Sequence, residues 1–213
     1  MSALYLVTSQ PEASAAARRA GLWLFMGVAG MLFLLFSAAY VMRMALPDWR
    51  PLPFVPWQLW LSTALLVAAS VAWQRAALGL ACLCSAAFLA SQLWAWQAMT
   101  AADVAVGANP ANSFFYLITG LHGLHVAGGL AVAAGARRSQ AAMRLCARYW
   151  HFLLALWLAM FFLLFRVTPD LVQAVCNAFL RRRRWRGWRR SGTGWWMTGA
   201  ATAQRFACRG ARR

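Results

Sequence analysis

Five stretches of this 213-residue chain carry no charged side chain: Gly21–Met42, Trp57–Gln74, Ala76–Met99, Asn112–Gly135 and Tyr149–Phe165. A helix crosses a hydrocarbon layer of about 30 Å with about 17–25 largely apolar residues, so each stretch qualifies as a candidate span. All seven prolines fall outside them. Pro47, Pro51, Pro53 and Pro56 stiffen the first connection, and Asn109-Pro110 breaks the chain before the fourth stretch. Period-2 alternation over short segments, the mark of a membrane β-barrel, is absent. With 62% of residues apolar and 12% charged, a soluble domain of this size could not hide its apolar surface. The sequence therefore predicts an all-α integral membrane protein, a bundle of five transmembrane helices.

The boundaries follow. Residues 1–20 are expected to be a cytoplasmic N-terminal segment, 21–166 the membrane domain, 167–180 a short amphipathic segment and 181–213 an Arg/Trp-rich tail. The uncharged run after Arg18 and Arg19 is too long for the apolar region of a cleavable signal and reads as an anchor. The run Trp57–Met99, broken only by Arg75, is roughly twice the bilayer thickness as one helix, so it must turn between Gln74 and Gly79.

Orientation comes from arginine, the only basic residue type besides histidine in a chain of formal charge +17. Arg18, Arg19, Arg75, Arg137, Arg138, Arg144 and Arg148 fall on one side. Arg43, Arg50 and Arg166 share the other with Asp48, Asp103 and Asp170. The positive-inside rule places the first group, and the N-terminus, in the cytoplasm of a bacterial-type inner membrane. The tail adds 11 arginines and no acid. Its composition suits a disordered extension or binding to anionic lipid, and nucleic acid is not an expected partner.

Chemistry is sparse. No Asp or Glu lies within a span, which argues against a proton pump acting alone. The five cysteines have no framework spacing, and Cys82-Leu83-Cys84 sits in an apolar run as packing. His122 and His125 share one helical face near mid-membrane, whereas His151 lies near the cytoplasmic end of span five. That offset, about 10 Å at 1.5 Å per residue, is wrong for a bis-histidine haem, and two imidazoles fall short of a zinc ligand set. The expected role of all three is hydrogen bonding to neighbouring helices. Gly120 and Gly123, with Ala127 and Gly128, keep span four thin for close approach, as Gly27 and Gly30 do in span one. Arg43, Trp57 and Trp150 are expected to meet lipid at the interfaces. No catalytic and no metal-ligating residue is assigned.

The segment Ser113-Phe-Phe-Tyr-Leu-Ile-Thr-Gly-Leu-His122-Gly-Leu-His125-Val126 and the entry Arg148-Tyr-Trp-His151-Phe152 resemble subunit III of the haem-copper terminal oxidases, the cytochrome c and quinol oxidases. So do Leu22-Trp-Leu-Phe25, Ala39-Tyr-Val-Met-Arg43, Leu59-Trp-Leu-Ser-Thr-Ala-Leu-Leu66 through Gln74-Arg-Ala76, and Gln92-Leu-Trp-Ala-Trp96. The likeness runs in order over residues 20 to 176 and is to the short five-helix form. It implies an accessory subunit that packs beside subunit I, and subunit II, of a complex in aerobic electron transport. Haem and copper would lie in the partner chains, with no cofactor on this one beyond a bound phospholipid. The first-helix Glu of many members is replaced here by Val28-Ala29-Gly30, and the tail resembles nothing in the family. Three alternatives stand beside this reading: the related accessory subunit of nitric oxide reductase, a small cytochrome b-like haem protein, and a scaffold for lipids or assembly outside respiration.

Overall fold

The computed structural model describes residues 2–135, 140–175 and 177–178, with side chains from residue 16 onward. The Arg/Trp-rich tail, Arg137 and Arg138 lie outside the described residues. Five helices follow one another: α1 (Ser2–Arg43), α2 (Trp57–Gln74), α3 (Leu78–Ala101), α4 (Pro110–Gly135) and α5 (Gln140–Arg166). Residues 169–175 add a short helical segment, and no strand occurs among the described residues.

Helix ends follow local chemistry. Pro56, with extended backbone (ψ 134°), immediately precedes α2. Pro110 opens α4 at the position where a missing N–H is least costly, and Asn109 Oδ1 accepts the Ala111 N–H at 3.4 Å. The chain reverses between α2 and α3 at Arg75–Ala77. There Ala76 takes φ 56°, a left-handed conformation that is sterically costly for a side chain bearing Cβ. On the opposite side of the bundle, Asn109 ties two connections together. Its Nδ2 donates to the Arg50 carbonyl, and its Oδ1 accepts the Arg50 N–H at 3.3 Å.

Among the described residues, four helices are long and apolar enough to cross a membrane, against the five expected: Ala16–Arg43, Leu78–Ala101, Pro110–Ala134 and Gln140–Arg166. The 18-residue α2 falls short because Trp and Gln stand at both ends and Ser62, Thr63 and Ser70 interrupt its apolar run. The helix that carries the first of these spans does not start at Ala16. The helix runs back to Ser2 through the alanine-rich stretch before Gly21, where helix propensity is high. α5 likewise reaches back beyond Tyr149 to Gln140, because Arg144 and Arg148 are good helix formers.

α2 and α3 form an antiparallel hairpin, α5 packs on α2, and α4 packs on α3 and α5. α1 lies outermost, against α4 and α5. The centre is aromatic. Trp73, Trp150, Trp157, Phe88, Phe115 and Tyr40 are essentially inaccessible, and the Trp73 and Trp150 rings lie 4.5 Å apart.

Candidate functional site: the histidine face of α4 and the cleft beneath α1

The buried face of α4 includes Phe115, Thr119, His122 and Val126, the i, i+4, i+7, i+11 rhythm of a helix facing its neighbours. His122 sits at its centre with 0% exposure. Its ring is boxed by Trp157 of α5 (5.3 Å between centroids), Phe88 of α3 (5.8 Å) and Phe33 of α1 (6.1 Å). Neither ring nitrogen has a hydrogen-bond partner among the described residues. The interhelical bond expected of it is therefore not made by any described residue.

His125, one turn nearer the α1 side, behaves differently. Its Nδ1 lies 2.7 Å from the Leu121 carbonyl oxygen of the preceding turn. A carbonyl can only accept, so Nδ1 carries the proton and Nε2 is left as an acceptor. The bond stays within α4. Its ring packs on Phe33 (5.5 Å) and Phe25 (5.8 Å) of α1. The contact between α4 and α5 at this level comes instead from Tyr149, whose hydroxyl donates to the His125 backbone carbonyl at 3.0 Å.

His151 does bond across helices: its Nδ1 is 2.7 Å from Ser70 Oγ of α2. The imidazole itself is exposed. Trp157, which touches His122, lies six residues further along α5, so His151 is about 9 Å away along the axis. The three imidazoles are not brought together. Among the described residues no three His, Cys, Asp or Glu side chains converge on one point.

The other polar groups act as stitches. Trp150 Nε1 donates to Ser85 Oγ at 2.9 Å, and Trp157 Nε1 donates to Thr63 Oγ1 at 2.9 Å. Ser62 and Ser91 share a bond of 2.8 Å, and Trp96 Nε1 donates to Thr119 Oγ1 at 3.1 Å. Trp150 is thus corrected from interfacial to core: it is 0% exposed and cannot meet lipid. Trp57 is exposed and stacks edge-on against Trp94, while Arg43 pairs with Asp48.

The glycines divide sharply. A Cβ on Gly120 would stand 3.1 Å from Trp96, and one on Gly123 would stand 3.8 Å from Leu89. At Gly27 and Gly128 it would meet nothing within 4 Å. The tightest approach is at Gly129, where a Cβ would come to 2.5 Å from Tyr149. Sequence reasoning missed this one. The Gly128-Gly129 pair was visible, but which member faces α5 depends on helix rotation.

Beyond Gly129 the α1 helix stands off, leaving a cleft of about 680 Å³ between α1, α4 and α5. Phe25, His125, Cys146 and Tyr149 line it, and Arg18 brings a positive charge to an otherwise apolar wall. Such a space suits an apolar chain with an anionic head better than a polar substrate. Comparison with protein-family models and with curated proteins finds no match for this chain.

Proposed function

We propose that the chain is an accessory subunit of a respiratory haem-copper oxidase, seated beside subunit I in a bacterial-type inner membrane with its N-terminus cytoplasmic. In this reading it stabilises the catalytic subunit and supports proton uptake, while haem and copper reside in the partner chains. One observation carries the proposal. The segments that resemble subunit III supply the residues that knit this bundle together: Trp96 to Thr119, His122 against Phe88 and Trp157, Trp150 to Ser85, and His151 to Ser70. Their chemistry is that of helix packing, which is what an accessory subunit needs.

The reading makes α2 the fifth span. Its 18 residues reach about 27 Å, close to the hydrocarbon thickness. Its polar side chains Ser62, Thr63 and Ser70 all bond within the bundle, to Ser91, Trp157 and His151, so they need not be solvated by water. A phospholipid would lay an acyl chain in the cleft beneath α1 with its phosphate toward Arg18.

The test is co-purification, haem content and initial oxygen consumption of the complex carrying Gly123→Leu or His125→Ala. Gly123→Leu pushes against Leu89 and should loosen the subunit from its partner while leaving the first turnovers intact. His125→Ala should be milder, because Tyr149 bonds the backbone of His125, not its side chain. If His125→Ala leaves association intact but stops the first turnovers, the packing reading is wrong.

A further inference from the structure

Four polar atoms in the middle of the bundle have no partner among the described residues: both ring nitrogens of His122, and the amide nitrogen and oxygen of Gln92. Both side chains are buried, at 0% and 5% exposure. They are also level with one another. α3 and α4 run antiparallel, with Trp96 bonded to Thr119 and lying over Gly120, and Leu89 lying over Gly123. Gln92 falls between those two contacts on α3, opposite His122 between them on α4. Phe88, one turn from Gln92 on the same buried face, touches the His122 ring directly.

An imidazole and a primary amide left dry in this position would each forfeit their hydrogen bonds in a setting with no solvent to replace them. Five hydroxyl side chains of this core avoid that loss, while Trp49 Nε1, Gln58 Oε1 and Trp73 Nε1 share it among the described residues. Ser62, Thr63, Ser85, Ser91 and Thr119 all find partners. Small groups neighbour the pair along the chain: Ala95 and Ser91 are buried on α3 beside Gln92, and Gly123 follows His122 on α4, where an added Cβ would stand 3.8 Å from Leu89.

We propose that Gln92 and His122 form an internal hydration site, an ordered water bridging the amide and the imidazole between α3 and α4. Such a molecule needs two to four polar partners, and this pair offers four unpartnered atoms. The water would also explain how a neutral imidazole is tolerated inside three aromatic rings: one nitrogen donates to the water while the amide holds it in place. The site is independent of the oxidase reading.

The experiment is water-edited solid-state NMR on the full chain in lipid bilayers, labelled with nitrogen-15 at histidine and glutamine. His125→Gln and His151→Gln assign the His122 signals. The expected result is magnetisation transfer from water to the His122 ring, lost in Gln92→Met while the backbone spectrum is otherwise kept. His122→Phe, which suits the surrounding rings, reads the site from the other side: the Gln92 amide should then lose its water transfer. A His122 ring that receives no transfer in the wild type overturns the proposal. So does transfer that persists unchanged in Gln92→Met. A His122 nitrogen shift that responds to Gln92→Met without any water transfer means a direct amide–imidazole bond, and likewise overturns it.

Discussion

α1 and α2 are opposites. α1 is the most apolar of the spanning helices, yet 17% of its apolar span is buried, against 33% for each of the other three. α2 is too polar to count among those spans, yet eight of its 18 residues are buried. Ser62, Thr63 and Ser70 of α2 each bond to another helix. α1 meets the rest through ring contacts and through a long bond from Tyr40 to the Leu164 carbonyl at 3.3 Å. The difference teaches what drives packing here. Lipid is as apolar as leucine, so apolarity takes a helix into the membrane and does little to hold it against a neighbour. Close steric fit and interhelical hydrogen bonds do that, and α2 has both.

The sharpest break should come at two adjacent glycines of α4. Gly129→Leu drives a side chain into Tyr149 and displaces the hydroxyl that bonds His125. We expect a loss of about 1–3 kcal/mol, read as an earlier midpoint in detergent-induced unfolding. Gly128→Ala, whose Cβ meets nothing, should be neutral or stabilise by up to about 1 kcal/mol through helix propensity. Equal effects at the two positions would mean that α4 is rotated relative to α5.

Next in size are the indole stitches. Trp150→Phe and Trp157→Phe each remove a bond to a hydroxyl and some buried ring, and should cost about 1–2 kcal/mol in the same assay. Smaller still is the Ser70–His151 pair. A double-mutant cycle with Ser70→Ala and His151→Phe should give a coupling near 0.6 kcal/mol, the average for such bonds in membranes. The smallest effect belongs to α1. Leu24→Ala, on a 71% exposed side chain, should stay within about 0.5 kcal/mol. A large loss there would show that a neighbour covers α1.

Much of the architecture is legible in the residues because a span is a local property. Runs without charge, prolines between them and the reversal after Gln74 can be read one segment at a time. α2 shows where that fails: its ends were read as Trp57 and Gln74, as the structure has them, but apolarity alone does not predict that it is a central packing helix. The sequence puts His122 and His125 three residues apart on one helix and His151 on another, and says nothing of what surrounds them. That His122 would be ringed by Phe33, Phe88 and Trp157 depends on three other helices and their rotations. Trp150 misleads for the same reason: a tryptophan near a span end has the composition of an interfacial anchor, while its inward place depends on Ser85 of α3 and Trp73 of α2.

The proposed role is to pack beside a catalytic subunit, with no redox centre on this chain. The direct measurement is capture of the tagged full chain in mild detergent, with haem and copper quantified before and after the complex is dissociated. The account predicts that both leave with a large oxygen-reducing partner and that the isolated chain shows no Soret band. A chain that purifies alone with stoichiometric haem, its Soret band lost on replacing His122 or His125, would contradict it.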